Sequence, residues 1–262
     1  MCLILFAWQV RPDHPLVLAA NRDEYFRRPT RPAHYWDDAP GVLGGRDLEA
    51  GGSWLGVDTR GRVAAVTNYR EPPRARAGEL SRGLLVSDFL KGDKAAADYL
   101  REVIRWQRRY DAFNLLLADA TGLYFYSSRE PDYRALAPGC YGISNGELDC
   151  PWPKVKKGKQ VLRRQLGSGQ ALDSEALDSE ALFDLLADDT PAADRELPDT
   201  GVGLEIERKL SPIFINLDGY GTRCSTVLIM GAQGNVFFAE RNFDATGKAL
   251  DTGRFEFSRN SR

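Results

Sequence analysis

Two apolar runs at the head of the chain, residues 3–10 and 16–20, flank the polar stretch Arg11-Pro12-Asp13-His14-Pro15. Runs of that length around a proline-bearing turn predict a β-hairpin. Pairing returns the end of the second run beside the start of the first, so the tetrad Asn21-Arg22-Asp23-Glu24 falls next to Cys2. Further along, 62–68 predicts a strand ending at Asn68, and 112–119 with 122–127 predict a second hairpin. A short strand over 139–145 ends at Asn145. The C-terminal part predicts strands over 223–230, 236–240 and 254–257, with Arg223 at the start of the first.

Between these lie segments of helical period. Residues 81–90 and 94–107 carry apolar side chains at helical spacing, and 154–166 and 180–187 predict two more helices. The helix over 94–107 shows Arg101, Arg105, Arg108 and Arg109 on its polar side, a solvated face or an anion-binding one. Residues 25–38 are rich in proline and arginine and read as irregular, as do 71–78. The glycines of 44–56 predict hairpin turns with Trp54 packed in the core, or a pocket loop with Trp54 as its wall. The pentad ALDSE occurs twice in tandem at 171–180, too few copies for a repeat architecture. Residues 188–203 are polar, and Ser211-Pro212 marks a bend. Strands at both ends with helices between them predict an α+β fold, and no linker composition divides the chain, so one domain over 1–262 is expected.

Composition narrows the function. The chain has 262 residues, 43% of them hydrophobic and 27% charged, with a net charge of −2. That balance gives no reason to expect a nucleic-acid partner. No apolar run approaches the roughly 20 residues of a membrane span, so no integral membrane segment is expected. The start lacks the basic-then-apolar pattern of a secretory leader, which points to the cytoplasm. Four cysteines without a C-x-x-C pair predict no disulfide framework. Two histidines, His14 and His34, are too few for most metal sites, and no metal or required cofactor is expected.

Cys2 carries the candidate chemistry. A cysteine in second position is small enough that removal of Met1 is expected, leaving a thiol and an α-amine on one residue. The α-amine has an unperturbed pKa of about 7.7–8.0 and can serve as the base for its own side chain. Arg22 can stabilise the thiolate, and Asp23 can hold the amine. Acyl transfer also needs donors where negative charge develops on the carbonyl oxygen, and Asn68, Asn145 and Arg223 are the candidates.

The tetrad Asn21-Arg22-Asp23-Glu24 after Met1-Cys2 resembles the signature of the NRDE family, also called the transport and Golgi organisation family. The resemblance runs the length of the chain. It includes Gly52-Ser53-Trp54-Leu55-Gly56, Thr67-Asn68-Tyr69, Tyr141-Gly142-Ile143-Ser144-Asn145, Leu210-Ser211-Pro212 and Tyr220-Gly221-Thr222-Arg223. It implies an N-terminal nucleophile (Ntn) hydrolase-like fold, a four-layer αββα sandwich of two mainly antiparallel sheets flanked by helices. The bile-salt hydrolases and penicillin V acylases of that superfamily supply a template in which the catalytic residues match Cys2, Asp23, Asn68, Asn145 and Arg223. Those enzymes have an arginine three residues before the aspartate, where this chain has Ala20, and Arg22 stands adjacent instead. The same resemblance implies binding and intracellular trafficking of haem or a related hydrophobic anionic ligand, an acyl-lipid or acyl-CoA. Haem enters as a candidate cargo, with Asn21, Arg22, Glu24, Trp54 and Tyr69 as ligand-binding candidates. The alternative is a cysteine-dependent amidohydrolase or thioesterase that uses Cys2. Either way the partner is a small molecule.

Overall fold

The computed structural model of the chain describes residues 2–71, 78–167 and 177–260. In chain order these form β1 (Cys2–Trp8), β2 (Leu16–Tyr25), β3 (Thr30–Trp36), β4 (Ala39–Asp47), β5 (Leu55–Asp58), β6 (Val63–Asn68), α1 (Gly83–Lys91), α2 (Ala96–Trp106), β7 (Phe113–Asp119), β8 (Gly122–Ser127) and β9 (Arg134–Ala135). They continue with β10 (Gly139–Ile143), α3 (Pro153–Gln165), α4 (Ser179–Leu186), α5 (Leu204–Lys209), β11 (Asn216–Leu217), β12 (Tyr220–Met230), β13 (Asn235–Phe243) and β14 (Ala249–Ser258). The elements gather into two compact units, one of the residues up to 26 with 138–256, the other of 27–137 with the residues from 257 on. Each is an antiparallel sheet with helices on it, an α+β organisation. Neither unit is a continuous stretch, and the last chain crossing falls inside β14. A crossing inside a strand carries no linker composition, so nothing in the sequence marks it.

In the first unit the strand order is β10-β1-β2-β12-β13-β14, with β11 beside β12. The expected hairpin of β1 and β2 forms, pairing Cys2 with Arg22 and Trp8 with Leu16. Residues 3–7 of β1 are all buried, which is why that run is continuously apolar rather than alternating. Leu3, Leu5, Val17, Ala19, Val227 and Ile229 share one face and form a core with Val155 and Leu162 of α3 and Leu182, Phe183 and Leu186 of α4. Each fully buried Leu or Phe there stabilises the unit by about 1.5–3 kcal/mol. Gly158 lets α3 sit down on β1, because a Cβ at that position would drive into the Leu5 methyls. Asp178 caps α4 by accepting from the Glu180 N–H at 2.8 Å, as the second ALDSE copy predicted. The first copy lies outside the described residues.

The second unit is a meander, β3-β4-β5-β6-β7-β8-β9, with each strand beside its sequence neighbour. Leu85, Phe89 and Leu90 of α1 and Leu100 and Val103 of α2 join Ala64, Val66, Leu115 and Leu117 of the sheet in its core. Two expectations fail here. Residues 30–36 form a strand rather than an irregular stretch; Pro32 is accommodated because β3 is the sheet edge, where a missing N–H costs no ladder bond. Gly44 and Gly45 lie within β4 rather than in a turn. A Cβ on Gly44 would collide with the Leu55 carbonyl and one on Gly45 with the Trp54 ring. Both glycines therefore serve close packing within the strand.

Candidate functional site

Cys2 opens β1, the strand between β10 and β2. On one side its register partner is Arg22, which is 5% exposed. On the other, β1 pairs with β10 at Ile4 and Ile143. Beyond the end of that ladder the Ser144 hydroxyl donates to the Cys2 carbonyl at 3.2 Å, so the segment that carries Asn145 reaches the head of β1. Asn145 is fully buried and lies two residues beyond the end of β10 rather than closing the strand, as the sequence predicted. The thiol residue is half-buried. Burial pushes its thiol up from the ordinary value and the Asp23 charge adds to that, while the Arg22 charge and the Asp23 backbone N–H act against it.

Strand alternation puts Asn21 and Asp23 on the opposite face of β2 from Arg22. Asn21 is spent on architecture: its amide donates to the Leu186 carbonyl at 2.8 Å and the Ile213 carbonyl at 2.9 Å, and its oxygen accepts from Ser225 Oγ at 2.6 Å. Asp23, 1% exposed, accepts from Thr222 Oγ1 at 2.7 Å. That hydroxyl in turn accepts the Ile215 N–H at 3.0 Å. Burial pushes the Asp23 carboxyl up, opposed by the Lys154 charge, the Thr222 hydroxyl and the Arg22 charge. Glu24 is partly exposed and accepts from the Tyr25 N–H at 2.9 Å.

The motif Tyr220-Gly221-Thr222-Arg223 closes on the tetrad strand residue by residue. Tyr220 donates its hydroxyl to the Asp23 carbonyl at 3.2 Å, and Thr222 pairs with Asp23. Gly221 has no room for a Cβ beside the Ile215 carbonyl. The register shifts between Thr222 and Cys224, so Arg223 is the extra residue of a β-bulge, a device that re-aims a side chain. Its guanidinium donates to the Tyr25 carbonyl at 2.9 Å and lies 5.2 Å from the Phe26 ring centroid. Arg223 thus sits three residues inside β12, not at its start.

Nothing in the sequence singles out Lys154. It stands in the first turn of α3, is 3% exposed, and donates from Nζ to the Leu210 carbonyl at 3.0 Å. Its only signal was a place in a basic helix, and nothing in that pattern separates a buried lysine from solvated ones. The Leu210–Ile215 segment thereby touches Lys154, Asn21 and Thr222 in turn, which gives Leu210-Ser211-Pro212 a structural purpose.

The other three candidates belong to the second unit. Asn68 ends β6 as expected, paired with Phe113. The Tyr69 N–H donates to the Ala112 carbonyl at 2.9 Å, and the Arg129 guanidinium lies 5.8 Å from the Tyr69 ring centroid. Trp54 is 9% exposed and packs in the space left by Gly45, with its carbonyl accepting from the Val66 N–H at 2.9 Å. Ser53 donates its N–H to the Gly83 carbonyl at 3.1 Å, and a Cβ on Gly52 would collide with Gly83. The glycine-rich loop is therefore clamped to the start of α1. Among the described residues no group of three or more His, Cys, Asp and Glu could hold a metal ion, and no helix is long and apolar enough to cross a membrane.

Comparison with known proteins places these features in context. Residues 1–245 match the family model described as Transport and Golgi organisation 2. The Transport and Golgi organization 2 homolog of Mus musculus is 35% identical over 274 residues, covering 98% of this chain and 99% of the mouse protein. The Homo sapiens homolog is 37% identical over 278 residues, with the same coverage, and Transport and Golgi organization protein 2 of Drosophila melanogaster is 29% identical over 265 residues, covering 92% and 91%. Among solved structures, a Caenorhabditis elegans N-acylethanolamine-hydrolyzing acid amidase ortholog matches with a TM-score of 0.49 and 10% identity over 87% of this chain and 92% of that one. The C2A mutant of the conjugated bile acid hydrolase of Clostridium perfringens matches with a TM-score of 0.39 and 12% identity over 99% and 98%.

Proposed function

The chain belongs to the Transport and Golgi organisation 2 family, and we propose that it is a cytoplasmic protein of Ntn-hydrolase type whose Cys2 takes an acyl group from an amide or thioester. The observation that supports this best is the setting of Cys2, with buried Arg22 as its partner across one strand boundary, Ser144 bonded to its carbonyl on the other side, and the backbone N–H of buried Asp23 acting on its thiol. Burying a guanidinium and a carboxylate whose charges both act on one thiol is costly unless they are used together.

With Met1 removed, the Cys2 α-amine takes the thiol proton and sulfur attacks the substrate carbonyl carbon. The carbonyl π electrons move to oxygen, where the Asn145 amide is the proposed donor, with Arg223 as a further candidate. Collapse re-forms the carbonyl, breaks the bond to the leaving nitrogen or sulfur, and returns the proton from the amine to the leaving group. Water then attacks the S-acyl cysteine by the reverse route, releasing the carboxylic acid and the thiol. Asp23, fixed by Thr222, holds the amine. The experiment is incubation of the mature protein with acyl-amide and acyl-thioester panels, followed by mass spectrometry. An acyl adduct on Cys2 that Cys2→Ala abolishes is expected; turnover unaffected by Cys2→Ala contradicts the reading.

A second reading has a specific observation in its favour: burial pushes the Cys2 thiol up, so a chain that keeps Met1 holds a neutral thiol. In that form the site binds and hands on a hydrophobic anion, haem or an acyl-lipid, with Arg22 and Arg223 near its acid group. Titration with haem and acyl-CoA tests it: saturable binding that survives Cys2→Ala supports carriage, and the absence of binding to wild type rejects it.

A further inference from the structure

The arginine face of α2 lies within the second unit and takes no part in the Cys2 chemistry. Helical period sets Ala96, Leu100 and Val103 into the core. The same period aligns Arg101, Arg105 and Arg108, at i, i+4 and i+7, on the other side, and all three are exposed. The helix ends at Trp106 and runs on as one 3-10 turn, Gln107–Arg109. Trp106 is 60% exposed. Tryptophan is highly buried on average, so an indole left open at a helix end, between two exposed arginines in the chain, calls for a partner.

The neighbouring acids leave two of these arginines unmatched. Arg101 pairs with Asp98, Lys94 with Glu102 at 2.6 Å, and Arg109 with Glu79 at 3.6 Å. Three further acids of this unit are engaged elsewhere: Glu130 pairs with Arg134, Asp132 accepts the Tyr133 N–H at 2.8 Å, and Asp111 accepts the Gly78 N–H at 2.9 Å. Among the described residues Arg105 and Arg108 form no ion pair. A guanidinium keeps its charge at any physiological pH and grips phosphate through paired N–H donors. An indole seats itself where apolar matter meets water, at the level of lipid headgroups. Arginines on the polar side of a helix with a tryptophan beside them are the composition of a helix that rests on a membrane surface.

We propose that the C-terminal end of α2 docks on a surface of anionic phospholipid, with Trp106 among the headgroups and Arg105 and Arg108 on the lipid phosphates. The contact is peripheral, and it is independent of the reading of Cys2. Single-stranded nucleic acid also takes arginines and an aromatic ring, but it is held along a groove that tracks its backbone, and this patch is the tip of one helix. The full chain would be sedimented with vesicles of phosphatidylcholine alone, and of phosphatidylcholine and phosphatidylserine in equal parts. Binding to the mixed vesicles only, reduced by high salt, is expected. Arg105→Gln combined with Arg108→Gln should weaken it by about tenfold or more, and Trp106→Ala should weaken it severalfold. All three positions are exposed, so the circular dichroism of these variants should match the wild type. Cys2→Ala should bind as the wild type does, which separates the result from the fate of acyl transfer. Binding to neither vesicle, or binding unchanged by the double substitution, overturns the proposal. So does tighter binding to a single-stranded oligonucleotide than to the mixed vesicles, or a self-association that Trp106→Ala abolishes.

Discussion

Asn21 and Asp23 stand two residues apart on one strand face and do different work. Asn21 satisfies two carbonyls and a serine in the interior. Asn21→Ala leaves those groups buried and unpaired, and a loss of roughly 3 kcal/mol is expected, read as a lowered midpoint in urea. Asp23 has the opposite signature, because burial raises its carboxyl pKa. The unfolded chain ionises Asp23 in the ordinary range, so just above that range the folded state holds the extra proton. Stability therefore falls as pH rises through this window and levels off once the folded group is ionised. Asp23→Asn should remove that slope, giving a protein more stable than wild type at neutral pH but without acyl transfer. Urea titrations at a series of pH values check the first point and adduct formation the second. That the tetrad would lie beside Cys2 was legible from the two apolar runs, and Arg22 does pair with Cys2. That Asn21 is structural was not, because a sequence shows which side chains share a strand face but not which loop carbonyls meet them.

The strand elements were legible wherever the core is on both faces, as in β1, or where a polar turn separates two apolar runs, as in β7 and β8. They were illegible in β3, whose edge position lets it carry Pro32 and the exposed Arg31, and in β4, whose glycines serve close packing. The bulge at Arg223 is the element on which the site depends most. Deleting Arg223 would restore a regular ladder and shift residues 220–222 by one place, turning every side chain there to the other face. Thr222 would then lose Asp23. The deletion should keep the circular dichroism of the wild type while removing acylation of Cys2, whereas Arg223→Gln, which keeps the bulge, should retain the Thr222–Asp23 contact. Acylation of the deletion variant at the wild-type rate would show that this clamp is not needed.

At the scale of the whole molecule, the two sheets differ in how far apart in sequence their partners lie. The second unit's sheet pairs consecutive strands. The first unit's sheet joins residues at opposite ends of the chain, Tyr220 reaching Asp23 across 197 positions. Contacts of long separation slow folding, so amides of β4–β8 should gain exchange protection before those of β1, β2 and β12 in pulse-labelling experiments. Simultaneous protection of both sheets would contradict this. The α+β class was readable from the order of strands and helices, and the family from its separated motifs. The two units were not readable, because each is assembled from distant segments. The site shares that difficulty: Cys2, Asp23, Asn145 and Thr222 come from β1, β2, the end of β10 and β12. Acyl transfer by Cys2 is tested most directly by the intact mass of the protein expressed in its native host. A chain that lacks methionine and begins at Cys2 with a free amine is expected. A mass retaining Met1 would contradict it, since that amine would be locked in a peptide bond and could not take the thiol proton.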